Sequence, residues 1–256
     1  MTLKAGIVIP IFNEGEILPK QIKIVEKILD ETLGEKCWKI VFVDNGSSDN
    51  SAEIIDNFCL KHTQSSRKFL PNPNYGAALK LGLSGVQEDF VIILDIDQID
   101  QNFIRQGWAL RHSFDLITGS KRLNPFLCDE PRYRTFLSWG LNAVLNLMFR
   151  YPGSDTHGPK IINLKTLKHT LELCKSTRGQ FDTEIVLRSF FKGFSILEFA
   201  ISYQNLRKPR NFMITKIVRN LWGLLKLFYQ LKHLKIEQSA RYSALDSIEL
   251  TRILEK

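Results

Sequence analysis

Two aspartates spaced two residues apart carry the clearest chemistry in this sequence. Asp95 and Asp97 follow the apolar run FVIIL at 90–94, which is typical of a buried strand. Where such a strand ends, two carboxylates at this spacing can point into one pocket and bind a hard divalent cation, Mg²⁺ or Mn²⁺. A cation held there would neutralise a diphosphate. The alternative is that Asp95 only caps the helix that follows.

The other apolar runs of the first half also end in polar, acidic or glycine-rich segments. These segments are PIFNE at 10–14, DNGSSD at 44–49, NPNYG at 72–76 and GSKR at 119–122. Ligands of an open parallel sheet bind beyond the carboxyl ends of its strands. Together with the two aspartates, these segments therefore predict one shared site at that edge.

The elements that would position these segments alternate along the chain. Short runs rich in β-branched residues alternate with segments whose apolar residues recur at helical spacing, such as 17–29, 51–61 and 102–111. This order predicts βαβ units and a doubly wound, mostly parallel α/β sheet with helices on both faces. In the less regular second half, helices are predicted at 134–149, 165–174, 183–191 and 213–235, and a strand at 196–203.

The composition is that of an ordinary globular chain with unevenly distributed charge. The 256 residues include 35 Lys+Arg and 27 Asp+Glu, and 44% are hydrophobic, which excludes a disordered or low-complexity chain. Most of the net charge of +8 lies in residues 205–256, which carry eleven basic and four acidic side chains. We therefore divide the chain into a body at 1–210 and a basic amphipathic helical tail at 211–256, and expect an anionic partner for the tail.

The predicted helix at 213–235 allows two interpretations. Its apolar residues at 214, 217, 218, 221, 224, 225, 228 and 231 would share one face, with cations at other positions. Such a helix can lie on an anionic membrane surface. It can also pack on the body and leave a basic face in water. No nucleic-acid-binding motif accompanies the charge, so nucleic acid is not an expected partner.

The cysteines and the amino terminus indicate a cytoplasmic protein. Cys37, Cys59, Cys128 and Cys174 form no CxxC motif and are expected to be reduced. The first residues contain neither a signal-peptide apolar region nor a cleavage site, and no stretch of about 18 apolar residues lacks charge. The basic tail could then hold the protein at the cytoplasmic face of a membrane.

The joint pattern of motifs resembles the family 2 glycosyltransferases with the GT-A fold. IPIFNE at 9–14, VDNGSSD at 43–49, NYG at 74–76 and DID at 95–97 occur in the family's order and spacing. The resemblance covers residues 7 to about 125, and a weaker match continues to about 203. It implies a metal-dependent, inverting transfer from a UDP- or GDP-sugar.

This resemblance also implies roles for individual residues in the donor site. Residues that would bind the nucleotide-sugar are Pro10, Phe12, Asn13, Glu14, Asp44, Asn45, Gly76 and Asp95. Asp44 would accept a hydrogen bond from the base, and Gly76 would allow close approach of the backbone. Asp97 would bind the metal, and Asp95 the ribose or the metal.

Within the family, the sequence is most similar to the dolichyl- and polyprenyl-phosphate sugar synthases. Lys121 and Arg134 occupy the places of cations that would neutralise the diphosphate or an acceptor phosphate. Further candidates for the acceptor side are Ser138, Asp155, His157 and Glu184, with Asp182 as a catalytic candidate. The segment at 154–160 is similar to the D-x-x-x-G-F-[RK] loop of these enzymes, although it is one residue shorter and Pro159 replaces the aromatic residue.

Several alternatives remain open on the sequence alone. Asp182 and Glu184 could bind the acceptor or act as a base for a hydroxyl acceptor, or they could only form an acidic helix start. His157 could be a site residue or a loop histidine satisfied by backbone. Asp95 and Asp97 could also belong to a phosphatase of the haloacid dehalogenase type, in which the two aspartates normally follow the first strand. A non-catalytic membrane adaptor that keeps the fold is the third hypothesis.

Overall fold

A computed structural model describes residues 4–128, 132–203, 214–234 and 242–245, without the side chains of residues 125, 132–139, 141 and 214–221. The strands are β1 (Ala5–Ile11), β2 (Trp38–Asp44), β3 (Ser66–Phe69), β4 (Phe90–Ile93), β5 (Leu116–Ser120), β6 (Lys160–Asn163), β7 (Ile196–Ala200) and β8 (Tyr242–Leu245). The helices are α1 (Leu18–Leu33), α2 (Ser51–Lys61), α3 (Tyr75–Leu83), α4 (Gln101–Leu110), α5 (Arg132–Phe149), α6 (Leu164–Glu172), α7 (Gln180–Phe191) and α8 (Ile214–Leu231). A short 3₁₀ turn covers Pro125–Leu127.

The strands form one sheet in the order β3-β2-β1-β4-β6-β5-β7-β8. Strand β6 runs antiparallel to β4 and β5, and the other pairings of the sheet are parallel. The prediction of a doubly wound, mostly parallel α/β sheet is therefore confirmed. Because β6 is reversed, Lys160 at its start pairs with Ile93 and Thr118, close to the carboxyl ends of β4 and β5.

Two hydrophobic cores cover the two faces of the sheet. Successive side chains of a strand point to opposite faces, so Ile7 and Ile9 join the core with α1 and α4, whereas Val8 joins the core with α3 and α7. All seven residues of β1 are buried, which explains its continuous apolar run. Packing on both faces of the sheet therefore fixes the position of β1. The segment at 12–15 begins at its carboxyl end.

The region predicted as a helical tail contains a strand as well as a helix. Residues Tyr242–Leu245 pair in parallel with β7 and extend the sheet, although the sequence indicated only a helix or a frayed end there. Strand β6 was also not expected, because its four residues KIIN follow a glycine-containing polar loop. The boundary at 210 stays a prediction, and residues 204–213 lie outside the described part.

Helix α8 packs on α5 and α7, and where its side chains are described the face that it buries matches the predicted one except that Leu227 takes the place of Leu225. Leu224, Leu227 and Leu231 are buried in the core, and Phe228 contacts Phe149 of α5 with the ring centroids 5.7 Å apart. Leu225, which was expected on the same apolar face, is 44% exposed. In the described residues, no helix is both long and apolar enough to span a bilayer.

Candidate active site

The carboxyl ends of β1, β2 and β4 and the start of α3 enclose a cavity of about 230 Å³. Its lining consists of Pro10, Ile11, Phe12, Glu14, Asn45, Tyr75, Asp95, Asp97 and Gln98. Six of these were candidates from sequence, and the segments after four strands, β1 to β4, meet here as expected. The sequence analysis assigned no role to Tyr75 or Gln98.

Asn13 holds the first two strand-end segments together. It adopts a positive φ of 54°, which asparagine tolerates better than most residues. Its backbone N–H donates to Ser47 Oγ at 3.1 Å, and its side-chain Oδ1 accepts from the Ser48 N–H at 2.7 Å. The adjacent N–H of Glu14 donates to Ser51 Oγ at 3.0 Å. The segments after β1 and β2 thus form one interlocked wall of the site.

Asp44 and Asn45 link the second strand end to its neighbours. Asp44 is buried, accepts from the Ser47 N–H at 2.9 Å and lies 3.6 Å from an Arg67 guanidinium nitrogen. The side-chain Oδ1 of Asn45 accepts from the Asn74 N–H at 2.7 Å. Asn45 therefore connects the end of β2 to the start of α3.

Gly76 lies in the first turn of α3, against the backbone of the loop before α7. A Cβ at this position would lie 2.5 Å from the carbonyl oxygen of Arg178. The neighbouring Ala77 N–H donates to the Thr177 carbonyl at 2.8 Å, so the two segments are tightly joined. Gly76 permits the close approach of these two chain segments, whatever further part it takes in ligand binding.

The helix after the two aspartates is capped by Asp100 and not by Asp95. Asp100 Oδ1 accepts from the Phe103 N–H at 2.8 Å, and its Oδ2 accepts from the N–H and hydroxyl of Ser202 at 2.7 and 2.8 Å. The capping interpretation of Asp95 is therefore wrong. Asp97 is only 4% exposed, and both aspartates line the cavity.

A buried polar cluster stands beside Asp95. The Tyr75 hydroxyl donates to Asp95 Oδ1 at 3.2 Å, and Lys160 Nζ contacts Asp182 Oδ1 at 2.8 Å. Burial, followed by the charges of Asp182 and Asp95, raises the pKa of Tyr75 well above its ordinary value, so this hydroxyl keeps its proton. Lys160 and Asp182 are almost fully buried. Asp182 lies in the first turn of α7, and it also contacts Lys160 and lies beside Tyr75, which lines the cavity.

The donor set suits a divalent cation that is shared with a bound ligand. Asp95 and Asp97 offer hard carboxylate oxygens on one cavity wall. No group of three or more His, Cys, Asp or Glu side chains in the described part of the chain could hold a metal alone. Mg²⁺ and similar ions often take one or two carboxylates, with substrate phosphates and water as further ligands. The residues present fit such a shared site.

The loop at 154–158 forms the neighbouring wall, beyond the end of β5. Ser120 Oγ and Ser154 Oγ are 2.7 Å apart, and the Lys121 N–H donates to Asp155 Oδ2 at 3.4 Å. The Lys121 ammonium lies 3.7 Å from the centroid of the Tyr203 ring. Asp155 is thereby placed next to Lys121, as the sequence analysis grouped them.

Glu198 of β7, which the sequence analysis did not single out, organises this loop. It is fully buried and accepts from the Ser154 N–H at 2.9 Å, the Ser154 hydroxyl at 2.6 Å and the Asp155 N–H at 2.8 Å. The Tyr242 hydroxyl of β8 also donates to it. The sequence signal that could have identified Glu198 is that it is the single acidic residue in the apolar strand ILEFA.

His157 and Glu184 have different surroundings. His157 is exposed, its N–H donates to Asp155 Oδ1 at 2.9 Å, and its Nδ1 lies 3.2 Å from Thr156 Oγ1.

Glu184 is fully buried in α7, accepts from the N–H groups of residues 175 and 176, and contacts Arg188 Nε at 2.7 Å. The carboxylate of Glu184 thus holds the loop before α7.

Arg134 and Ser138 lie in α5, but their side chains are outside the part that the structure describes. Their candidate roles beside Lys121 therefore stay predictions. The position of α5 after the β5 loop agrees with the order of the motifs in the sequence.

Comparison with known proteins identifies the first part of the chain. Residues 6–105 match the family model for glycosyl transferase family 2, and they contain β1 to β4, Asp95 and Asp97. This part of the chain is thus similar to glycosyl transferase family 2. Glycosyltransferase AglD of Haloferax volcanii is 21% identical over 231 residues, which cover 87% of this chain and 36% of that protein.

A second group of relatives is more similar over a shorter segment. The undecaprenyl-phosphate 4-deoxy-4-formamido-L-arabinose transferase of Salmonella newport is 41% identical over 96 residues, 37% of this chain and 29% of that protein. The chain thus spans about a third of the length of the curated relatives that it matches.

Solved structures share the fold of this chain. Mannosyltransferase PcManGT from Pyrobaculum calidifontis, in complex with GDP-Man and Mn²⁺, aligns with a TM-score of 0.57 at 12% identity, over 93% of this chain and 67% of that one. TarS 1-349 of S. aureus, in complex with UDP, aligns with a TM-score of 0.54 at 13% identity, over 93% and 68%. The chain therefore has the GT-A fold.

Proposed function

We propose that this chain transfers a sugar from a UDP- or GDP-sugar to a polyprenyl phosphate or another membrane-associated acceptor, with inversion at the anomeric carbon. The observation that carries the proposal is the convergence of Asp95 and Asp97 with three other strand-end segments on one cavity, within the family 2 segment. The haloacid dehalogenase alternative lacks support, because the two aspartates follow the fourth strand.

The wall after β1 and β2 would bind the nucleotide. Phe12, Glu14 and Asn45 line the cavity, and the bonds of Asn13 fix that wall before a ligand arrives. Asp44 would accept a hydrogen bond from the base. A preformed wall lowers the ordering cost of binding.

The opposite side of the cavity would hold the diphosphate. Asp95 and Asp97 would bind a divalent cation, which when present supplies Lewis-acid stabilisation of the negative charge on the leaving diphosphate. Lys121 and Arg134 would add positive charge near the same group. These residues together would favour departure of the nucleoside diphosphate.

A phosphate acceptor would need no general base. Its oxygen is already ionised near neutral pH and could attack the anomeric carbon directly, opposite the leaving group. In that case Asp182, paired with Lys160 and next to Tyr75, would hold the site wall in place. Asp155 and His157, from the loop beside Lys121, and Ser138 of α5 would then contact the acceptor. Glu184 would act indirectly, since its carboxylate contacts lie in the loop before α7.

The outer face of α8 supports a membrane-associated acceptor. Trp222, Leu225 and Tyr229 are 72%, 44% and 64% exposed, and their spacing places them on one side of the helix. Lys226 and Lys232 are exposed close to them. Aromatic and cationic side chains on one helix face suit the headgroup region of an anionic membrane. The protein would then act at the cytoplasmic face of a membrane, and relatives named as undecaprenyl-phosphate transferases agree with this acceptor class.

The deciding experiment is a thermal-shift panel of UDP- and GDP-sugars with and without Mn²⁺ or Mg²⁺. We expect one donor to raise the Tm of the wild type in the presence of metal, and Asp97→Asn to abolish this shift. Stabilisation is about 2.7 kcal/mol at about 100 times the Kd, which is readily measured. Glu35→Gln, which removes an exposed charge elsewhere, is the matched control. If no nucleotide-sugar shifts the Tm, the donor-site assignment is wrong.

The acceptor is tested separately. Purified protein with the identified donor is incubated with undecaprenyl phosphate, and the lipid product is separated by thin-layer chromatography. Transfer to undecaprenyl phosphate supports the acceptor class, whereas donor binding without transfer to any lipid phosphate contradicts it.

A further inference from the structure

A second cavity lies on the sheet face that is covered by α3, α6 and α7. Its volume is about 570 Å³, more than twice that of the strand-end cavity and within the range of about 300–1,000 Å³ typical of small-molecule sites. Its lining consists of Lys80, Leu83, Ser84, Val86, Gln87, Glu88, Asp89, Leu164, Lys165, Lys168, Leu171, Glu172, Cys174 and Phe181.

The inner surface of this cavity is apolar. Leu83, Val86, Leu164 and Leu171 are only partly buried against the core, so a ligand would cover surface that is now open. Buried Phe181 and Cys174 complete the lining. Burial, together with the charge of Glu184, raises the pKa of the Cys174 thiol to about 12, and the thiol is therefore uncharged.

Two of the three acidic side chains in the cavity lining are paired with lysines. Glu88 is paired with Lys39 at 2.8 Å, and Asp89 with Lys165 at 2.7 Å. Glu172 has a side chain that is 62% exposed and lies beside His169.

Two lysines of the lining, Lys80 and Lys168, differ from Lys165 in forming no ion pair within the described part of the chain. The Lys80 ammonium lies 5.5 Å from the centroid of the Phe181 ring. Across the described ranges, neither Lys80 nor Lys168 forms an ion pair with an acidic side chain. The positive charge of both is therefore available to a ligand.

We propose that this cavity binds a small anionic amphiphile, with an aliphatic or aromatic body and one carboxylate or phosphate group, and that it is an effector site for the strand-end cavity. The apolar body would cover the leucines and Phe181, and the anionic group would pair with Lys80 and Lys168.

The structure connects the two cavities through two helices. Lys80 and Leu83 belong to α3, whose first residue, Tyr75, donates to Asp95. Phe181 lines the second cavity, and the next residue, Asp182, contacts Lys160. A ligand that displaces Phe181 or α3 therefore acts on groups that position the metal-binding carboxylates.

The binding step is tested with decanoate at submicellar concentration by isothermal titration calorimetry. We expect saturable binding to the wild type, at least about tenfold weaker binding to Lys80→Met and Lys168→Met, and much weaker binding of neutral decanol. Leu171→Trp, which fills the cavity, should also remove binding. Lys23→Met on the exposed side of α1, and Trp222→Ser on α8, should bind as the wild type does.

Several results would overturn the assignment. These are no binding of decanoate, equal binding of decanoate and decanol, or equal binding to the wild type and both lysine variants. Loss of binding in Trp222→Ser alone would move the ligand to α8 and equally contradict the proposal. The titration with decanoate needs neither a sugar donor nor an acceptor. Its failure can therefore be distinguished from failure of the proposed function.

The effector role is tested by measuring the Mn²⁺ affinity with and without saturating decanoate. We expect a change of about fivefold or more in the wild type, and none in Lys80→Met, because coupled sites must influence each other's affinity. An unchanged Mn²⁺ affinity in the wild type would contradict the effector role.

Discussion

The hydroxyl of Tyr75 donates a hydrogen bond to Asp95 Oδ1 across 3.2 Å, and it also lies beside Asp182. Because the tyrosine remains protonated, it can donate to Asp95 and fix one of its carboxylate oxygens. Tyr75 thus orients a carboxylate that is expected to bind metal, in the way that outer-shell residues commonly do.

Replacement of Tyr75 by Phe should weaken metal binding without unfolding the protein. The ring would be kept, but Asp95 would lose its orienting donor, and such changes typically lower metal affinity about 10–100-fold. Calorimetric titration with Mn²⁺ measures this directly. Tyr229→Phe on exposed α8 is the matched control. Equal Mn²⁺ affinity in Tyr75→Phe and the wild type would show that the hydroxyl does not position Asp95.

Gly76→Ala should destabilise the protein, whereas Gly140→Ala should not. The added methyl group at 76 would meet the Arg178 carbonyl at 2.5 Å, and overpacking of this kind costs about 1–3 kcal/mol. At Gly140 in α5 no atom of the described part of the chain lies within 4 Å of the added carbon, and alanine is the better helix former by about 0.5–1 kcal/mol. The urea midpoints of Gly76→Ala and Gly140→Ala are compared. Similar midpoints would show that the added methyl group at 76 does not clash with the loop before α7.

Glu198→Gln should loosen the loop at 154–155. A glutamine can present only one carbonyl oxygen to the donors at Ser154 and Asp155, and its amide would face the remaining N–H or hydroxyl group. An unsatisfied buried group costs about 1–3 kcal/mol. Amide hydrogen exchange of residues 154 and 155 should become faster than in the control Glu53→Gln on α2. Unchanged exchange would mean that the loop is held by other contacts.

Acidification should remove a stabilising contribution of Glu184. Burial alone would raise the pKa of this carboxyl, but hydrogen bonds from residues 176 and 175 and from Arg188 outweigh it and lower the pKa. A group with a lowered folded-state pKa stabilises the protein above its unfolded pKa, which is about 4.3 for Glu. That contribution is lost as the pH falls through the folded pKa.

The measurement compares urea unfolding of the wild type and Glu184→Gln from pH 7 down to pH 3. The stability difference between them should be constant above about pH 5 and shrink below about pH 4. A difference that does not change with pH would show that the charge of Glu184 is not what stabilises the loop.

The sequence predicted the strand-end cavity well because strand ends are a local signal. Continuous apolar runs locate β1, β2 and β4, and polar residues directly after them must meet at one edge of a parallel sheet. Phe12, Asp95 and Asp97 accordingly line one cavity. The sequence could not show which side chains form hydrogen bonds across the fold, such as that of Tyr75 with Asp95.

The second half was harder to predict because long-range packing decides it. Strand β6 has four residues, and its reversal depends on its neighbours β4 and β5. Residues 221–231 of α8, LWGLLKLFYQL, are apolar almost all round, so periodicity alone could not choose between Leu225 and Leu227. Packing against α5 and α7 buries Leu227 and leaves Leu225 exposed.

The reversal of β6 also separates two parts of the molecule that can diversify independently. Residues 6–105 supply the segment after β1 and the two aspartates, and the family match ends there. The antiparallel strand then returns the chain to the same edge, so that Lys160 lies beside the carboxyl ends of β4 and β5 from later in sequence. Changes in length or composition between β5 and β6 can therefore alter the surroundings of Lys160 while strands β1 to β4 keep their arrangement.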